Sequence, residues 1–116
     1  MTDHLNRPSV LLACLGTPER LESLIGYAPD SIVSKTIVDR AAGSITLFAF
    51  DEGQKLSEHT APYDAVVQVV DGRVRLTVGG KEKELAAGDL IIMPANVPHA
   101  VTAVGRFKML LTMIRA

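Results

Sequence analysis

Residues 58–72 read EHTAPYDAVVQVVDG, and this stretch decides the fold. From Asp64 onward its side chains alternate, with Ala65, Val67 and Val69 on one face and Asp64 and Gln68 on the other. The run is rich in β-branched residues, with Pro62 before it and Asp71-Gly72 after it, which predicts a strand between turns. A second stretch, GDLIIMPANVPHA (88–100), has the same character: a short apolar run framed by glycine and proline. Each stretch carries one histidine, His59 and His99. Together they predict a small β-barrel whose mouth is lined by two imidazoles.

The same period of two extends outward in both directions. Strands are predicted at 31–38, 43–50, 56–61, 64–71, 73–78, 81–86, 90–94, 99–104 and 106–115. Turn signals stand at Asp71-Gly72, Gly79-Gly80, Ala87-Gly88-Asp89 and Gly105. Short strands at this even spacing imply an all-β sandwich or closed barrel. The order is not βαβ and there is no glycine-rich phosphate loop, which argues against a dinucleotide fold. RVRLTV and KEKELA alternate charged and apolar residues, as a solvated hairpin does. AVVQVV, LIIM and MLLTMI are apolar on both faces, so an outer face needs cover; a homodimer is the expected assembly.

Residues 1–30 read differently, as an N-terminal extension before a barrel over 31–116. In TPERLESLIGY, Thr17 is a candidate N-cap, Pro18 takes the first helical position, and Leu21, Leu24 and Ile25 share a face. One short helix is expected there, packed on the barrel or on a partner subunit.

Composition narrows the functional classes. The chain is 47% hydrophobic but 4% aromatic, so its core must be aliphatic. Twelve Lys and Arg against thirteen Asp and Glu leave no basic stripe, which argues against nucleic-acid binding. No apolar run approaches the ~20 residues that span a bilayer, so no membrane partner is expected. VLLAC faintly resembles a lipoprotein cleavage site, but its apolar run from Val10 to Leu15 is short and follows Asp3 and Pro8. The lone Cys14 reads as a buried thiol in a short helix or strand and fits a reducing cytoplasm.

Gly53, QKLSE, His59 and Gly72 form one spaced set, and Gly88, DLIIM, Pro94, VP and His99 another. On these the chain resembles the cupin superfamily, the small single-domain barrels of the cupin-2 type, over roughly Ser31 to Arg115. The resemblance implies a jelly-roll, or double-stranded β-helix, barrel. It also implies an inner-wall metal set of three His and one Glu, of which His59 matches the first His and His99 the last. Ala61 stands in place of the other His and Ala65 (or Val66, under the longer spacing) in place of the Glu, so that set is degenerate here. Asn96 takes a family glycine position, which suits a residue tolerant of left-handed backbone.

The site expected from these residues is a His-lined pocket of His59, His99, Ala61, Ala65 and Tyr63. Its first reading is small-ligand binding with a degenerate or absent metal site. A second is a metal-dependent enzyme, a dioxygenase or isomerase, holding a divalent metal (Zn, Ni, Mn or Fe) on His59 and His99. There Gln68 could add an oxygen ligand if a bulge turned it inward. A third is a non-catalytic dimeric interaction protein. Met93, Met109 and Met113 fit adaptable apolar packing.

Overall fold

A computed structural model of the protein describes residues 9–115. Residues 1–8 of the expected N-terminal extension, and Ala116, lie outside them. Eight strands make up the described fold: β1 (Ile32–Arg40), β2 (Gly43–Phe50), β3 (Lys55–His59), β4 (Asp64–Val78), β5 (Lys81–Ala86), β6 (Leu90–Met93), β7 (His99–Thr102) and β8 (Phe107–Ile114). All pairings are antiparallel. One sheet runs β1-β2-β8-β4-β6 and the other β3-β7-β4-β5, so β4 belongs to both.

That sharing corrects the expected turn at Asp71-Gly72. Residues 64–71 and 73–78 form a single strand that bends from one sheet into the other, with a register shift between Val69 and Asp71. Gly72 makes the corner because its φ is +77° and a Cβ there would overlap the Arg106 carbonyl oxygen. Gly79 and Gly80 do turn the chain, both with positive φ, as a two-residue hairpin loop requires. The β4–β5 hairpin they close is solvated on its outer side, with Arg75 facing Glu82 and Glu84.

The core lies between the sheets. Phe50, Val67, Val74, Leu76 and Phe107 are fully buried, and the Phe50 and Phe107 rings stack at 4.5 Å. Period-two alternation accounts for this directly: in β4, Ala65, Val67 and Val69 point inward while Asp64 and Gln68 are exposed.

The expected helix over 17–27 contracts to a 3₁₀ turn at Leu21–Ser23, with a second such turn at Leu12–Cys14. Thr17 does not cap it; the residue before the turn is Arg20, and its side chain makes no capping bond. A segment this short is marginal as a helix in water, and here tertiary burial wins. Ile25, with Leu24 and Tyr27, packs on Leu47, Ala49 and Leu110 of the outer sheet face. Part of the cover that the sequence assigned to a second subunit is therefore supplied by the chain itself, while Leu90, Ile92 and Ile114 remain exposed.

Polar contacts fasten the same segment. Lys35 donates to the Leu24 carbonyl and Lys108 to the Glu22 carbonyl, both at 2.6 Å. The Tyr27 hydroxyl donates to Asp71 Oδ2 at 2.6 Å, and burial together with that carboxylate pushes the phenol far above its ordinary pKa. Tyr27 is thus a permanent donor. Tyr27→Phe is expected to cost about 1–2 kcal/mol, the value of a partly screened hydrogen bond to a charged acceptor. Urea unfolding of the variant beside Asp71→Asn checks this, since the two losses should not add.

Candidate functional site

His59 ends β3 and His99 begins β7, and the antiparallel register sets them directly opposite one another. Strict alternation from Leu56 would turn residue 59 away from the interior. The β3–β7 register shifts between Leu56 and His59, and that irregularity brings both side chains to the same cavity. On the β7 side, Asn96 adopts φ +64° and its N–H donates to the Ala61 carbonyl at 2.7 Å. Pro98 follows, its carbonyl held by the Gly79 N–H, and aims His99 into the barrel.

Each imidazole is oriented by a backbone carbonyl. His59 Nδ1 lies 2.7 Å from Ser57 O, and His99 Nδ1 lies 3.2 Å from Val97 O. A carbonyl only accepts, so each Nδ1 must carry the hydrogen, which leaves each neutral ring with a bare Nε2. Those two Nε2 atoms are 3.0 Å apart, with the rings edge to face. Two lone pairs facing at that distance repel unless a positive centre lies between them. The geometry therefore suits one shared proton or one metal ion.

His99 is buried and His59 exposed, so the pair connects the interior to solvent. Burial first, and then repulsion from His59, lower the His99 pKa below that of free imidazole; the Val97 carbonyl opposes this weakly. The unfolded chain then binds a proton more readily than the folded one near and below pH 6.5, so His99 costs stability as pH falls through that range. In metal-free protein, the melting temperature is expected to drop between pH 7 and 5, and less so in His99→Gln. Equal slopes in the two proteins would show that His99 titrates as it does in the unfolded chain.

The cavity behind the pair has a volume of about 40 Å³. Apart from the two imidazoles it is lined by apolar side chains, among them Leu56, Ala65 and Met93. Ala65 sits where the sequence placed it. Ala61 and Tyr63 do not line this cavity: Ala61 is held at the β6–β7 loop, and Tyr63 borders a separate outer concavity of about 620 Å³ beside Ile92 and Ile114. Gln68 is exposed on the outer face of β4, since the β4 register shift falls after it and leaves its orientation unreversed. It therefore cannot join His59 and His99 as a third ligand. Asp64 likewise faces out and accepts from the Ala95 N–H. Among the described residues, no three His, Cys, Asp or Glu side chains group as metal ligands do, and no helix is long and apolar enough to cross a membrane. Cys14 is half-buried in its 3₁₀ turn.

The sequence reading missed the β3 irregularity. Its one trace is that Leu56, an apolar residue, and His59 stand an odd number of residues apart in the same strand. Met93, Met109 and Met113, read from the sequence as apolar packing in preference to soft-metal thioether ligands, all line the same cavity as the imidazoles.

Residues 46–115 match the family model described as Cupin domain. An uncharacterized protein of Streptomyces coelicolor, SCO3923, is 38% identical over 56 residues, 48% of this chain. The match spans about half (53%) of the length of that curated relative. Among solved structures, the conserved SPY1581 protein of unknown function from Streptococcus pyogenes superposes with a TM-score of 0.83 at 34% identity, covering 86% of this chain and 88% of its own. A cupin 2 conserved barrel domain protein from Leptotrichia buccalis does so with a TM-score of 0.78 at 38% identity, covering 80% of this chain and 45% of its own.

Proposed function

The chain belongs to the cupin domain family, and from that premise we propose that it binds a metal ion through a reduced ligand set, His59 Nε2 and His99 Nε2. The observation that carries this reading is the convergence of two lone pairs at 3.0 Å, each ring turned by a hydrogen bond at its other nitrogen. Two imidazole–metal bonds of about 2.0–2.1 Å meet across that separation at an angle of roughly 95° at the ion, which lies to one side of the line joining the two nitrogens. Carbonyl partners at Nδ1 are also the usual outer-shell support of a metal-ligating histidine. Ala61 and Ala65 contribute no donor, so the coordination positions on the solvent side belong to water or to a small exogenous ligand. A bound ion would supply Lewis acidity to such a ligand.

The 40 Å³ cavity holds little more than a water molecule, whereas pockets for organic ligands measure about 300–1,000 Å³. The ligand in this proposal therefore meets the pair at the mouth, from the exposed side of His59. Our reading puts the protein in a reducing cytoplasm, on the ground of its single cysteine.

Metal analysis of untagged protein purified without chelators, followed by titration with Zn, Ni, Mn and Fe, tests the proposal. About one ion per chain is expected, with affinity falling at least ~100-fold in a His59→Ala/His99→Ala variant. No metal in the native protein, and no uptake of any of the four or of cuprous copper, would sink it.

A further inference from the structure

We propose that the ion preferred by this site is cuprous copper, with the thioethers of Met93, Met109 and Met113 on its inner side. This rests on the reading of His59 and His99 as metal ligands. The sequence holds four methionines, and the three beyond Met1 all line the cavity behind the two imidazoles. They arrive from β6 and β8, and Ala65 is registered with both Met93 and Met113. The small Ala65 side chain leaves open the space among them.

The charge of the donor set selects the ion. Neutral imidazoles and thioethers are the donors lining this cavity, and no carboxylate is among them. An ion held there keeps its full charge in apolar surroundings, and the Born cost of burying charge grows as its square. A monovalent ion therefore carries about a quarter of the cost of a divalent one. Thioether sulfur is a soft donor that favours Cu(I) over harder divalent ions. The exposed His59 provides the entry point, and the buried His99 lines the same cavity as the three methionines. Cys14, the other soft donor, is not among the cavity residues.

The test is anaerobic Cu(I) titration against a chromogenic cuprous chelator, with Zn²⁺ titrated in parallel. It compares the native protein with a Met93→Leu/Met109→Leu/Met113→Leu variant, substitutions that conserve core volume. The variant is expected to lose at least ~30-fold in Cu(I) affinity and less than ~3-fold in Zn²⁺ affinity. Copper-edge X-ray absorption on the native protein loaded with Cu(I) should show sulfur scatterers beside nitrogen. That spectrum decides the matter alone if the triple variant fails to fold. Unchanged Cu(I) affinity in the folded variant, or nitrogen-only coordination in the native protein, overturns the cuprous assignment. Zn²⁺ binding without Cu(I) binding overturns it too and leaves the two-imidazole site standing. Binding of neither ion removes both.

Discussion

Gly72→Ala is expected to destabilise the protein by about 3–5 kcal/mol, which for a chain of this size lowers the melting temperature by more than ~10 °C. Two costs combine. At φ +77° an alanine is strained by about 1–2 kcal/mol. Its Cβ would also overlap the Arg106 carbonyl oxygen and stand 2.9 Å from both the Arg106 carbonyl carbon and Phe107 Cα. Those atoms are backbone, so no rotamer change relieves the contact; β4 and the start of β8 must separate. Phe107, fully buried and stacked on Phe50, would move with them. Gly80→Ala is the matched control, because its φ is +79° and nothing lies within 4 Å of the added methyl. Calorimetry on both variants separates strain from collision. Equal losses in the two would mean that β4 and β8 do not touch at the corner.

Ala65→Glu is expected to have an effect of similar size, and one that metal reverses. Ala65 is 1% exposed and borders a cavity of about 40 Å³, too small for a carboxymethyl group in place of a methyl hydrogen. Overpacking and desolvation of the carboxylate together should cost about 3–5 kcal/mol in protein stripped of metal. Zn²⁺ in excess gives that carboxylate a positive partner between His59 and His99, with a third protein ligand and a compensated charge. Saturation at a hundred times Kd returns about 2.7 kcal/mol, more than the native two-imidazole site should gain from the same Zn²⁺. Thermal unfolding in EDTA and in excess Zn²⁺ measures both halves. A variant as stable as the native protein in EDTA would mean that residue 65 does not face the interior. A destabilised variant indifferent to Zn²⁺ would mean that the imidazoles and residue 65 do not converge on one ion.

Much of the fold was legible in local chemistry. The inward face of β4 follows from the alternation of Ala65, Val67 and Val69, and the β4–β5 hairpin from Gly79-Gly80 between charged, alternating strands. Asn96 adopts the left-handed backbone its residue type tolerates. What misled were signals with two tertiary outcomes. Asp71-Gly72 serves a turn or a sheet corner equally well, and the approach of Arg106, distant in sequence, selected the corner. Leu24 and Ile25 serve a helix or an extended apolar cover, and the sheet face at Leu47 and Ala49 selected the cover. By its place next to a turn Tyr63 reads as a pocket residue, but it lies in the bend before β4, outside the strand's alternation, and borders the outer concavity.

By itself, the sequence determined the strand periods, the inward-facing residues of β4, the family and the two histidines at its ligand positions, because each depends on residue type and short spacing. Tertiary structure alone decided that the histidines touch, with both Nε2 atoms turned to one point 3.0 Å across. It also decided that Gln68 stays outside and that three methionines from two strands meet behind the imidazoles. The reason is register. A one-residue slip reverses every side chain on a strand, and the irregularity between Leu56 and His59 is set by pairing with β7, far along the chain.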